Sequence, residues 1–273
     1  MELEKTVKET LKKIKLNKKE KILVALSGGK DSTAVAYLLK KFGYNVEGFH
    51  IDLKIGKYSD DCKRAVEELC KELKIKCHYY DIKAEMGSGM CYLRSSIQGN
   101  QSKGQIKNCA VCGVIKKWVF NREARRLKFD KIATGHNLDD EAQTFLMNIM
   151  KGSPGLSSNT GPITRNRENP NFVTRIKPLF YVAENDVREY IKKKKLPVVF
   201  QKCPCSLDSY RVQVRSYLEK MPTKYKMNIV KNFERNYPRI EKLKDLRMQY
   251  CEICGEPSRN KICKKCELFS KVK

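Results

Sequence analysis

The chain has 273 residues, enough to bury a sizeable core, and sets 57 Lys and Arg against 31 Asp and Glu for a formal charge of +26. That imbalance excludes the matched Lys and Glu networks of heat-adapted surfaces and creates a positive field suited to a polyanion, nucleic acid above all. No apolar stretch reaches the length of a membrane span, and the opening Met-Glu-Leu-Glu-Lys lacks the layout of a secretory signal, so a cytoplasmic protein without membrane contact is expected.

Leu3, Val7, Leu11 and Ile14 recur at helical spacing among lysines, which predicts a basic amphipathic helix within residues 1–20. The apolar run 22–26 reads as a strand and breaks at Ser27-Gly28-Gly29-Lys30-Asp31-Ser32 before a helix over 32–42. A strand, glycine turn and helix in that order is made to hold phosphate. The glycines admit an anion to the backbone, and the new helix directs unpaired N–H groups and its positive end at it. The spacing is that of neither the Walker loop nor the Rossmann fingerprint. The plain alternative is an ordinary turn in which Ser27 or Asp31 caps the helix. A strand at 46–51, a helix at 58–73 and a strand at 75–80 continue the alternation of an α/β fold with a doubly wound parallel sheet. Residues 84–108 show no period and read as a long loop. A helix over 110–127 and a strand from Lys131 follow, then a helix burying Ala142, Phe145, Leu146 and Ile149. A second loop fills 152–170, before a strand at 172–176, a helix near 184–194 and two helices within 207–247. The expected units are a basic N-terminal helix, 1–20, a nucleotide-binding domain, 21–202, a helical extension, 203–247, and a cysteine module, 248–273.

Twelve cysteines in a reducing compartment do not build a disulfide framework, and six of them form three C-x-x-C pairs, which points to metal. Cys109 and Cys112 open a helix, so both thiols project to one side beside its positive end, an arrangement that favours thiolate. Cys203-Pro204-Cys205 lies in a loop-like stretch. Three of these thiolates together would hold three irons of a [4Fe-4S] cluster and leave the fourth open, whereas four would close a zinc site. Gly135-His136-Asn137-Leu138-Asp139-Asp140-Glu141 follows a strand and belongs on the same sheet edge as the first glycine turn. Asn137 suits a helix cap and the acids suit the first turn, yet three acids exceed what capping needs. Asp31 with Asp139 or Asp140 would supply a magnesium shell. Cys251, Cys254, Cys263 and Cys266 have the double-knuckle spacing of a four-cysteine Zn²⁺ site, and Lys261, Lys264 and Lys265 give that module an RNA-facing character. Lys192 to Lys195 and the cluster Arg122, Arg125, Arg126 and Lys128 read more simply as solvated helix faces. Cys62, Cys70 and Cys77 read as buried small hydrophobes, and Trp118 as core.

Ser27-Gly-Gly-Lys-Asp-Ser resembles the PP-loop of ATP pyrophosphatases. Joined to Cys109-Ala-Val-Cys, Gly135-His-Asn-Leu-Asp-Asp-Glu, Cys203-Pro and the terminal cysteines, it resembles the TtcA/TtuA family of tRNA 2-thiolation enzymes, and within it the 2-thiouridine branch. The resemblance implies the PP-loop ATP pyrophosphatase fold and a cluster held by Cys109, Cys112 and Cys203, with Cys205 as the alternate third ligand. It implies ATP contacts by Ser27, Gly28, Gly29, Asp31, Ser32, His50, Ile51, Gly135 and Asp140, and a catalytic lysine at Lys116. Its implied partners are tRNA and a sulfur donor, either sulfide or a thiocarboxylated ubiquitin-like carrier protein, and it is compatible with a homodimer. Members of that branch commonly begin with a second zinc module, in whose place residues 1–20 carry the basic helix. The chemistry expected is adenylation of the uridine C2 oxygen by ATP with magnesium, then sulfur transfer and release of AMP. Lys30 and the helix N-terminus stabilise the departing charge, while Lys116 and Asp140 handle protons. The alternatives are a tRNA 2-thiocytidine synthetase, a PP-loop ligase that uses nitrogen nucleophiles, or a non-catalytic zinc-stabilised RNA-binding protein.

Overall fold

The computed structural model describes residues 2–99, 106–157, 160–164, 170–206, 210–241 and 249–270; parts of both predicted loops and of the predicted 207–247 helices lie outside them. The N-terminal helix α1 (Glu2–Lys13) precedes β1 (Lys21–Leu26), α2 (Lys30–Lys41), β2 (Asn45–Asp52), α3 (Gly56–Leu73) and β3 (Cys77–Asp81). After α4 (Ile82–Met86) and α5 (Met90–Gly99) come α6 (Asn108–Arg126), β4 (Lys131–Ala133), α7 (Leu138–Met150), β5 (Ile163–Thr164), β6 (Thr174–Ile176) and α8 (Glu184–Lys194). The chain then forms α9 (Tyr210–Glu219), α10 (Thr223–Glu241), the hairpin β7 (Gln249–Tyr250) and β8 (Pro257–Ser258), and α11 (Lys264–Phe269).

The main sheet runs β3-β2-β1-β4-β6-β5, parallel except for the antiparallel edge strand β5. Strand alternation sorts its side chains into two cores. Ile22, Val24 and Leu26 join α1, α2, α3 and α8 on one face, and Leu23 joins α5 and α6 on the other. A third cluster forms where α7 meets α9 and α10, with Phe145 stacked on Phe233 at 4.1 Å. The strand order reverses between β1 and β4, and there the carboxyl ends of a doubly wound sheet part to form a crevice. No helix among the described residues is long and apolar enough to cross a membrane.

Several expectations are corrected. The segment read as an aperiodic loop over 84–108 contains α4 and α5. Asp81 caps α4 by accepting from the N–H groups of Lys83 and Ala84, and α5 buries Met90, Leu93 and Ile97 at i, i+3 and i+7, a period masked by intervening serines and a glutamine. The second loop holds a 3₁₀ turn, Pro154–Ser157, and β5. Ile149 is exposed, because α7 meets its partners through Ala142 and Phe145 and its last turn runs beyond them. Cys77 and Trp118 are only half-buried.

The cysteine module is packed against α6, and Leu268 of α11 enters the core beneath that helix. Glu256, buried within the module, accepts from Asn121 Nδ2 at 2.8 Å and pairs with Arg125. The Trp118 ring packs with the Arg122 guanidinium, 4.9 Å from its centroid, and with the Lys265 ammonium at 4.6 Å. Lys265 and Arg125 therefore fasten the module to α6, while Arg122 and Arg126 bond within that helix; Lys264 is paired to Glu267, and Lys261 remains exposed. Glu256→Ala strands these donors and should loosen the docking by about 1–3 kcal/mol. Faster amide exchange in both α11 and the C-terminal half of α6 is the expected result; unchanged exchange in α6 contradicts it.

Candidate active site

The glycine turn after β1 opens directly into the crevice. The N-cap of α2 is Gly29, and no side chain caps the helix, so the ordinary turn capped by Ser27 or Asp31 is not what forms. The two serines instead brace the loop internally. Ser27 N donates to Ser32 Oγ at 3.1 Å, and Ser32 Oγ donates to the Gly29 carbonyl at 3.0 Å. The first-turn N–H groups of α2 are thus left without a side-chain acceptor at the crevice, the arrangement that receives an anion. Gly28 holds φ at 79°, and a Cβ there would lie 2.8 Å from the Cys62 backbone of α3. The Gly28 carbonyl accepts from Val199 N at 2.8 Å, which ties the segment leading to Cys203 onto the same loop.

The loop after β4 closes the other side. A Cβ on Gly135 would lie 2.8 Å from the Asp31 carbonyl carbon and the Ser32 nitrogen, so the two loops are in backbone contact. Asn137 caps α7 in a reciprocal box with Asp140 and also donates from Nδ2 to Asp31 Oδ1 at 3.1 Å. Asp139 is fully engaged elsewhere, accepting from Glu184 N at 2.8 Å and from Lys226 Nζ at 2.5 Å. Of the two candidates to join Asp31 around a cation, Asp140 is the one left facing it. Burial, then the charge of Asp31, raises Asp140 to about 6.

Lys30 is not free above the loop. Its ammonium is held by Asp31 Oδ2 at 2.7 Å and by Glu184 Oε1 at 2.9 Å, and Glu184 also pairs with Arg215 of α9. Burial opposes the charge on Lys30, but the two carboxylates outweigh it and raise its pKa. His50, near the end of β2, is buried with Nδ1 at 2.9 Å from the Leu26 carbonyl, while its Nε2 has no partner. Burial lowers its pKa, so the ring is neutral, donates through Nδ1 and presents Nε2 as an acceptor. Ile51 follows it, also buried, in β2.

Lys116 links this nucleotide side to the cysteines. It lies close enough to His50, Cys62, Cys109 and Cys203 to bias all four, and Cys203 in turn senses Cys112. Partial desolvation and the neighbouring Cys112 push the Cys109 thiol up, and burial does the same to Cys203, so the helix end alone does not make these thiols anionic. Cys205 has another partner: the buried Arg94 guanidinium donates to its sulfur at 3.0 Å and to Cys91 at 3.2 Å. Among the described residues, the potential metal ligands whose donor atoms all lie within 4.8 Å of one another are Cys251, Cys254, Cys263 and Cys266. Cys109, Cys112 and Cys203 are not gathered that tightly. In the terminal module, backbone N–H donors including those of Cys263 and Cys254 pull Cys251 down to about 6 against the opposing effect of burial.

A set of cations escaped the sequence reading. Lys117 of α6 has Arg175 of β6, Lys177 just after it, Arg211 of α9 and Arg259 of the terminal module around it; Lys177 is paired with Glu141, Lys117, Arg211 and Arg259 are exposed, and local crowding with the repulsion of the other four lowers the pKa of Lys117. Crowding around the ring, and then the charges of Lys177, Arg211, Lys117 and Arg175, lower His136 to about 3 even though solvent reaches it. Their scatter over more than a hundred residues gives no local pattern; only the fold collects them.

A family model for the PP-loop domain matches residues 1–222. A tRNA-5-methyluridine(54) 2-sulfurtransferase from Pyrococcus horikoshii is 34% identical over 97% of this chain and 84% of its own length. The tRNA 2-thiolation protein NcsA from Haloferax volcanii is 32% identical over 92% of this chain and 82% of its own. Among solved structures, the U34-tRNA thiolase NcsA from Methanococcus maripaludis with its [4Fe-4S] cluster superimposes with a TM-score of 0.79 at 29% identity, covering 99% of this chain and 87% of that one.

The pH response of Asp140 provides a test. Its folded-state pKa lies above the ordinary 3.8, so its contribution to stability is greatest below that value and is lost as pH rises through about 6. Asp140→Asn apoprotein should therefore melt higher than the parent at about pH 7.5, with the gain shrinking towards about pH 4. A gain that does not change with pH contradicts the assignment.

Proposed function

The chain belongs to the PP-loop family of tRNA 2-thiolation enzymes, and on that premise we propose that it replaces the C2 oxygen of a tRNA uridine with sulfur in two steps. The observation that carries this reading is a single crevice in which an uncapped helix N-terminus meets Lys116 and the cysteines around it.

The C2 carbonyl is urea-like and its oxygen leaves poorly, so activation comes first. The uridine O2 attacks the α-phosphate of ATP, forming one P–O bond as another breaks and pyrophosphate departs. The uncapped N–H groups of α2 take the β and γ phosphates and the growing charge on pyrophosphate. Lys30, clamped by Asp31 and Glu184, adds positive charge at the base of the loop and fixes the Asp31 carboxylate. Asp31 and Asp140 are the residues that would hold a magnesium ion, a cation commonly bound by one or two carboxylates, and its charge would offset that of the triphosphate. The orphaned His50 Nε2 and the end of β2 at Ile51 receive the nucleoside.

In the second step sulfur at the oxidation level of sulfide attacks C2, the C–O bond to phosphate-bearing oxygen breaks, and AMP leaves. Lys116 holds the negative charge of the attacking sulfur and of the departing AMP oxygen. Cys109, Cys112 and Cys203 are the residues that would hold a [4Fe-4S] cluster; their looser spacing fits thiolates bound to separate irons, and Cys205 is already engaged by Arg94. When bound, a cluster with three protein ligands supplies an iron with an open position for the sulfur. The tight terminal quartet fits a single tetrahedral Zn²⁺. The cation wall around His136 takes the RNA phosphates that flank the extruded base.

Protein purified and reconstituted without oxygen, given ATP, a tRNA transcript and sulfide, should form 2-thiouridine with equal amounts of AMP and pyrophosphate. Asp31→Ala and Cys109→Ala should each lower that rate by about two orders of magnitude or more while tRNA affinity is kept. Nucleoside analysis that finds 2-thiocytidine, or no thionucleoside with full ATP turnover, refutes the reading.

A further inference from the structure

At the opposite edge of the sheet, where β1 and β2 begin, α1 and the turn after α2 enclose a cleft of about 700 Å³ that none of the chemistry above uses. Lys8, Lys12 and Lys15 recur about one turn apart along one side of α1 and its C-terminal turn, and Lys18 follows in the loop. All four are exposed, and among the described residues none is paired with a carboxylate. Of the acids on α1, Glu4 pairs with Lys41 at 2.7 Å, and Glu9, exposed between Lys8 and Lys12 in the sequence, does not line the cleft. The floor is aromatic. Phe42 and Tyr44 are half-buried there, with Lys8 at 5.1 Å from the Phe42 centroid and Lys18 at 5.9 Å from that of Tyr44.

We infer that this cleft is a second RNA-docking surface, which grips the tRNA backbone away from the modified base; the inference rests on tRNA being the substrate. Four ammonium groups without a carboxylate partner, in a cleft whose lining contains no acid, match a polyanion that carries no cations of its own, rather than a protein surface of mixed charge. Lysine ammoniums act as point charges that tolerate variable phosphate positions, which suits sequence-independent binding. The aromatic floor holds two of the ammoniums in place and offers ring faces at the cleft. The six-residue strand β1 separates the cleft from the glycine turn by about 20 Å. That span lets a structured RNA engage both edges while the surface takes no part in ATP chemistry.

The test compares parent protein with the triple variant Lys8→Gln, Lys12→Gln and Lys18→Gln, and with the matching triple arginine variant. The buried face of α1, Leu3, Val7 and Leu11, is untouched, and circular dichroism and ATP affinity should equal those of the parent. Filter binding of a tRNA transcript across a salt series should show at least tenfold weaker affinity for the glutamine variant near physiological salt. Its slope of log affinity against log salt should be smaller by about three, and the arginine variant should bind as the parent does. Unchanged affinity and slope in the glutamine variant overturn the inference and leave the proposed function standing. A parent that binds no tRNA overturns both. Loss of polyglutamate binding with tRNA affinity intact assigns the cleft to an acidic protein instead.

Discussion

Two loops meet at the sheet's switch point with no room for a side-chain carbon between them, and the rest of the site depends on that contact. Gly135 brings the β4–α7 loop against the backbone of Asp31 and Ser32, and Asn137 bonds to Asp31 from the same loop. This fixes where the uncapped end of α2 points and sets Asp140 beside Asp31. Burial in the crevice, and then repulsion from the Asp31 carboxylate beside it, raise the pKa of Asp140. The fold stores that repulsion where a cation would relieve it.

A charged lattice around the contact connects it to the more distant helices. Lys30 reaches Glu184, Glu184 reaches Arg215, and Asp139 accepts from both the α8 backbone and Lys226 of α10. Removing one member leaves its partner's charge poorly compensated, so the network holds α8, α9 and α10 in register with the glycine turn. On the other face, α6 carries Cys109, Cys112 and Lys116 at one end and is gripped by the terminal module at the other, through Asn121, Arg125 and Trp118. The module is therefore coupled to the cysteine end of the site by one continuous helix of 19 residues.

The sequence made the alternating strands and helices, the glycine turn, the second loop and the four-cysteine quartet legible, because each is written in adjacent residues with a fixed period or spacing. It did not make α4 and α5 legible, since five residues hold too little pattern and the three apolar positions of α5 are diluted by polar ones. Charge was read least well. Lys30 looked like a free phosphate ligand and is a clamped one, Asp139 looked like a metal ligand and is a strut, and Lys265 looked like an RNA contact and covers Trp118. Each of those roles depends on a partner 45 to 154 residues away, Glu184 for Lys30, Glu184 and Lys226 for Asp139 and Trp118 for Lys265, which no local spacing records. The cation wall of Lys117, Arg175, Lys177, Arg211 and Arg259 was invisible for the same reason.

The most direct test of the account is the ATP affinity of Gly135→Ala, measured by calorimetry with magnesium in protein whose circular dichroism matches the parent. An added methyl must push the β4–α7 loop off Asp31 and Ser32, so affinity should fall by about tenfold or more while tRNA binding persists. An unaltered ATP affinity would show that the contact between the two loops does not build the nucleotide site.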